Sequence, residues 1–254
     1  MDAPSSIGRG PRRIERGLSI RVVVGEINAR DVTTRVVVPS GAQTAWPPFA
    51  RVAETIATPR RPFPRHRHEG SEVLTYVIEG SASYAIEPGP PRPLTAGTIM
   101  LLTAPAAVSH AINPEKGSTV RWFSIVAALP SGASPTPRLQ SARAEATELQ
   151  AEGTVVRPLV GPGSALTSAM GLEAAEIDCR APGASFRRIG HDRVAVCYAL
   201  GGRGRLDNER LEGGQAALVE NVAGIALQGQ SDFRVVLVTA PRVPSTNVAP
   251  VGSA

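Results

Sequence analysis

One strand-and-turn phrase occurs twice in this chain. Val73 to Ile78 is an apolar, β-branched run closed by Glu79-Gly80, and Val194 to Leu200 is another, closed by Gly201-Gly202. Downstream, Leu94-Thr95-Ala96-Gly97-Thr98 is echoed by Leu211-Glu212-Gly213-Gly214-Gln215. Each echo follows its original by about 120 residues, the mark of an internal duplication. A chain that repeats itself at half its 254-residue length is built from two copies of one unit. With 25 glycines, 23 prolines and only 4% aromatic residues, that unit is one of short strands and tight turns rather than long helices. The expected fold class is all-β.

Along the chain, residues 1–17 read as a disordered start. Leu18 to Val24 and Arg30 to Val38 read as strands, and Trp46-Pro47-Pro48-Phe49 as an apolar anchor. Ser81 to Ile86, Ile99 to Leu102 and Arg121 to Ala128 continue the first unit, which spans 18–130. Pro130 to Pro137 has the composition of a linker. The connector extends over 131–153, with a short helix expected at Arg143 to Ala151. A second unit occupies 154–242, with strands at Leu172 to Cys179 and Phe233 to Thr239, and residues 243–254 form a loose tail.

Charge and composition exclude several roles. The chain has no run of about 18 apolar residues, so no membrane-spanning helix is expected. The polar, Arg-rich start lacks the apolar core of a secretory signal, which points to the cytoplasm. The net charge of +5 comes from scattered arginines, with Lys116 the single lysine. Those arginines form no basic helical face or aromatic-interleaved strip, which argues against direct nucleic-acid binding. Cys179 and Cys197 lie in apolar strand-like runs and read as buried free thiols, with a disulfide between them as the alternative.

The stretch from Phe63 to Gly80 carries the chemistry. His66 and His68 are two residues apart, so on an extended strand both face the same side. Their imidazoles can reach one point, which is what a metal ion requires. Glu72 stands between the pair and the strand that follows. If Glu69-Gly70-Ser71 is a turn, the His pair ends one strand and Glu72 begins a neighbouring one. Tyr76 and Trp122 read as core residues rather than as substrate platforms.

His66-Arg67-His68-Glu69-Gly70-Ser71-Glu72, followed by Thr75-Tyr76 and Glu79-Gly80, resembles the first metal motif of a cupin and, within the cupins, that of the pirin family. Thr103-Ala104-Pro105-Ala106-Ala107-Val108-Ser109-His110 resembles the family's second motif. The resemblance implies a bicupin: two antiparallel β-barrels, of which the first holds metal on His66, His68 and His110 and the second holds none. Iron is the implied metal, with another divalent ion as the alternative. The family usually follows its second-motif histidine with Ser-Glu, the Glu being a further ligand. Here Ala111 and Ile112 stand instead, and Ile112 cannot ligate. The site then holds metal on three histidines and water, recruits Glu72 as a carboxylate, or stays empty. Glu72 could equally orient a ligand histidine. His191 falls where a second-barrel histidine would fall, but Arg193 occupies the position two residues on.

Three functions follow from the resemblance. One is a metal-dependent regulatory protein that binds a protein partner. Another is an iron-dependent dioxygenase cleaving a flavonol such as quercetin, a small aromatic substrate, with Glu72 as the base. The third is a metal-free bicupin kept as a scaffold.

Overall fold

The computed structural model describes residues 19–24, 26–28, 32–38, 46–59, 63–130, 132, 136–146, 148–151, 153–180 and 183–243. The expected disordered start and nearly all of the expected tail lie outside the described residues. Within them the chain forms antiparallel strands and no helix.

The first barrel is made from two sheets. One contains β2 (Glu26–Asn28), β3 (Thr33–Val38), β4 (Phe49–Ala57), β6 (Ser71–Glu79), β9 (Thr98–Ala104), β11 (Val120–Ala128) and β12 (Arg138–Arg143), in the order β12-β9-β6-β11-β4-β3-β2. The other contains β5 (Phe63–His68), β7 (Ser81–Ile86), β8 (Arg92–Thr95) and β10 (Val108–Pro114), in the order β5-β10-β7-β8. The third sheet, in the second half of the molecule, joins β1 (Ser19–Val24) to β13 (Glu148–Ala151), β14 (Thr154–Val160), β15 (Glu173–Cys179), β16 (Ala184–Arg188), β17 (Arg193–Leu206), β18 (Glu209–Glu212), β19 (Gln215–Glu220) and β20 (Gly224–Pro241).

Strand alternation sorts the side chains. On β6, Val73 and Val77 face the interior of the first barrel, while Leu74, Tyr76 and Ile78 face outward onto the second half. On β9 the split is Met100 and Leu102 inward, Ile99 and Leu101 outward. The outward set packs with Val196, Tyr198, Leu218, Val236 and Val238 into one core shared by both halves. Each barrel also has its own interior. The first is centred on Trp122, Tyr84 and Met100, and the second on Ile177, Leu227, Phe233 and the free thiols of Cys179 and Cys197. Tyr76 and Trp122 are both buried in these cores. The Phe186 ring, in contrast, stands largely in solvent.

The duplication is visible in the turns. Gly97 and Gly214, at matching places in the two echoes, both adopt left-handed backbone with φ of 85° and 87°. Elsewhere the two halves differ from the sequence expectation. Residues 18–24 were assigned to the first unit, but β1 pairs in register with β19 of the second sheet, from Ser19 opposite Glu220 to Val24 opposite Gln215. Part of the expected linker is β12, paired with β9. The helix expected from Arg143 to Ala151 is absent, because Arg143 ends β12 and Glu148–Ala151 is β13. Ala, Glu and Leu favour helix intrinsically, but sheet pairing overrides that preference. Finally, β17 does not stop at Gly201-Gly202 but bends through them with shifts of register against β20.

Candidate metal centre

β5 and β10 build the site. They pair antiparallel, with Val108 opposite His68 and His110 opposite His66, so the three imidazoles share one face of a two-strand ladder. The ring centroids of His66 and His110 lie 4.1 Å apart, those of His68 and His110 4.9 Å, and those of His66 and His68 4.8 Å. One nitrogen from each ring lies within 4.8 Å of the others, close enough for a single ion to bridge all three.

Hydrogen bonding fits the cluster to a metal. His66 Nδ1 lies 3.0 Å from the Pro64 carbonyl oxygen, which accepts its proton and leaves the Nε2 lone pair free. His68 Nε2 and both ring nitrogens of His110 are buried without a hydrogen-bond partner. An unpartnered buried nitrogen costs about 1–3 kcal/mol unless something fills its lone pair. Imidazole nitrogens suit iron, nickel, copper or zinc.

Electrostatics keep these rings neutral. Burial, and then the neighbouring His66, lower His68 to about 4. Burial, reinforced by His66 and His68, takes His110 to about 2. His66 is lowered too, chiefly by desolvation, although its bond to Pro64 works the other way. A neutral imidazole is the form that ligates.

Glu72 is not part of this cluster. The chain leaves β5 through a turn at Gly70, with φ of 60°, and enters β6, which belongs to the other sheet; the two strands are not paired. Glu72 therefore shares the outward face of β6 with Leu74 and Tyr76. Its carboxylate is fully buried, accepting from Thr103 Oγ1 at 2.9 Å, the Ala169 amide at 3.0 Å and the Ser168 hydroxyl. It anchors the second half of the chain to the first. Ile112 has the inward orientation on β10, but its side chain packs with Tyr84, Val77 and Trp122 in the barrel core. His191 lies in an exposed turn before β17.

Arg51 carries no motif in the sequence, yet it belongs to the neighbourhood of the cluster. It stands opposite Val126, which faces the barrel interior, and its charge lowers both His66 and His68. The signal that could have exposed it is a lone arginine in the otherwise small and uncharged inward register Arg51, Ala53, Thr55 and Ala57 of β4.

Two packed cupin-type β-barrels with a three-imidazole cluster inside the first define a bicupin with one candidate metal centre. The Pirin family model matches residues 23–125, a stretch that holds all three histidines. A Pasteurella multocida protein named as a candidate quercetin 2,3-dioxygenase is 32% identical over 75 residues, 29% of this chain and 32% of its own length. The chain thus matches a third or less of the curated relatives it resembles. The crystal structure of GK1651 from Geobacillus kaustophilus superposes with a TM-score of 0.78 at 24% identity, covering 91% of this chain and 98% of that one. The Escherichia coli pirin YhhW, solved in complex with nickel(II), superposes with a TM-score of 0.73 at 18% identity, covering 89% and 100%. These superpositions extend the shared fold across both barrels.

Proposed function

We propose that this chain is a pirin-like protein that holds one divalent transition metal, iron in the first instance, on His66, His68 and His110, and that its role is regulatory binding rather than turnover. The observation that carries the reading is the set of buried, unpartnered nitrogens on His68 and His110 facing a third imidazole already fixed by Pro64. Three neutral rings held together at the cost of unmet hydrogen bonds are a poor core and a good ligand set. When bound, such an ion supplies Lewis acidity. The chain's own residues supply orientation: the Pro64 carbonyl holds the His66 ring, and the packing of Tyr84 at 5.0 Å holds that of His110. A binding role is favoured because, among the described residues, no carboxylate belongs to the cluster. Glu72, the group expected to take a substrate proton, already accepts three hydrogen bonds elsewhere.

Metal analysis of protein purified without added metal tests this. We expect about one ion per chain, mostly iron, lost in His110→Leu. Protein that arrives empty and takes up neither Fe(II) nor Ni(II) overturns it.

The relative named as a candidate quercetin 2,3-dioxygenase supports a second reading, flavonol cleavage with dioxygen. Oxygen uptake with quercetin that disappears in His66→Ala would establish it over the first.

A further inference from the structure

We propose that the mouth of the first barrel binds a small organic carboxylate, clamped between the metal on the three histidines and the guanidinium of Arg51. This deepens the metal-binding reading above and rests on it.

The placement comes from the sheet register. Arg51 on β4 is the cross-strand partner of Val126 on β11, and Val126 is in turn paired with Val73 on β6, which pairs with Leu102 on β9. Direct cross-strand partners project to the same face. Val126, Val73 and Leu102 pack with Val108 of β10 inside the barrel, and Val108 lies opposite His68. Arg51 therefore ends a row of side chains that leads to the histidine cluster, and its side chain opens to solvent there.

The charges there are unbalanced. Arg65 and Arg67 on β5 are neutralised by Glu87 and Glu69. Arg51 makes no hydrogen bond or ion pair among the described residues. The cluster contributes three neutral imidazoles, and Ile112 contributes no charge. A divalent ion on the histidines would leave the ion and Arg51 facing the same space with no anion among the described residues between them. Two cations across a partly desolvated gap attract an anion strongly. A guanidinium matches a carboxylate with two parallel N–H donors, and a carboxylate oxygen is a ready ligand to the ion. The incoming group would fill the coordination position that a glutamate at 112 would otherwise take.

The Arg51 guanidinium also repels a bare cation on the three histidines until an anion arrives with it. Metal and carboxylate are therefore expected to strengthen each other's binding.

Cobalt(II) is the probe for the test, because its visible spectrum reports ligand exchange. The cobalt-loaded protein is titrated with benzoate and with chloride in wild type, Arg51→Met and Arg51→Lys. In wild type, benzoate is expected to change the cobalt spectrum at concentrations where chloride does not. In Arg51→Met, benzoate affinity is expected to fall tenfold or more while cobalt still binds at least as tightly. Arg51→Lys should recover part of the loss. Ile112→Glu, by filling the position internally, should weaken benzoate without touching Arg51. Equal benzoate affinity in wild type and Arg51→Met, with cobalt bound in both, overturns the proposal and leaves the metal reading intact. A wild-type protein that fails to bind cobalt overturns both.

Discussion

Tyr198 of the second barrel donates its hydroxyl proton to Glu54 Oε2 of the first at 2.6 Å. The bond is returned: Tyr76 of the first barrel donates to Glu176 of the second. Tyr76 and Tyr198 are 122 residues apart, as are Glu54 and Glu176. Each glutamate also meets two arginines of its own half. Arg121 and Arg35 serve Glu54, and Arg234 and Arg157 serve Glu176. The duplication has thus fixed the two barrels together through two copies of one polar contact, set within a shared apolar core where Phe123 stacks on Tyr198 at 5.2 Å.

Removing a single donor from this contact leaves the glutamate its arginines. Tyr198→Phe and Tyr76→Phe are each expected to destabilise the protein by about 1–2 kcal/mol. Glu54→Leu strips the acceptor from Tyr198, Arg121 and Arg35 together and is expected to cost about 3 kcal/mol, because the buried Tyr198 hydroxyl loses its partner and Arg121 keeps only Glu79 and the Leu200 carbonyl. Urea denaturation midpoints measure all three. Equal losses for Tyr198→Phe and Glu54→Leu would mean that the arginines add nothing to the contact.

The histidine cluster sets function against stability. His110 is 3% exposed and neither ring nitrogen has a partner. His110→Leu fits the apolar surroundings of Val108 and Tyr84 and removes the orphaned atoms. It is expected to raise the stability of the metal-free protein by about 1 kcal/mol and to abolish metal uptake. Thermal melts after chelation, beside metal titrations, decide the matter. A less stable variant would mean that His110 holds the barrel together rather than waiting for an ion.

Much of this site was legible in the sequence, because its rule is local. Residues two apart on a strand share a face, so His66 and His68 had to converge, and the motif around His110 supplied the third ring. Glu72 was misjudged because its orientation depends on a change of sheet at Gly70, and its partners Ser168 and Ala169 are 96 and 97 residues away. The same limit applies to β1. Ser19–Val24 carries a strand's pattern, but nothing in six residues states that its partner is β19 rather than a neighbour in sequence. The Arg143 to Ala151 segment failed for the opposite reason, since its composition favoured helix while pairing with distant strands determined the outcome. Arg51 showed in the sequence only as a lone charge in the inward register of β4, because its meaning lies in the row Val126, Val73 and Leu102, assembled from three other strands.

Acid is expected to unfold the metal-free protein earlier than an ordinary set of histidines would. An unfolded histidine takes a proton near 6.5. Folded His68 resists until about 4 and folded His110 until about 2. Below 6.5 the unfolded chain therefore binds more protons than the folded one, and stability falls as pH falls. Above 6.5 both states are neutral and nothing is lost. His110 alone contributes a loss of about 2 kcal/mol by pH 5. Denaturation at pH 7.5, 6 and 5 should show a shallower decline in His110→Leu than in wild type. Parallel declines would mean that His110 is freely protonated in the folded barrel.

Ile112→Glu is the sharpest probe of how the centre is built. Ile112 follows His110 by two residues on β10, so a glutamate there starts on the face that carries the imidazole. Its side chain is 2% exposed and packed against Tyr84 and Trp122, so an ionised carboxylate loses its water on entering. Without metal, that burial is expected to cost about 3 kcal/mol or to drive the group to its protonated form. With metal, the carboxylate gains a cation to ligate and the cost is recovered. The variant should therefore melt well below wild type after chelation, approach it when loaded, and bind Ni(II) at least tenfold more tightly. Titrations and melts in both states provide the comparison. A variant destabilised equally with and without metal, and no better at binding nickel, would show that position 112 has been given to the hydrophobic core and no longer reaches the three histidines.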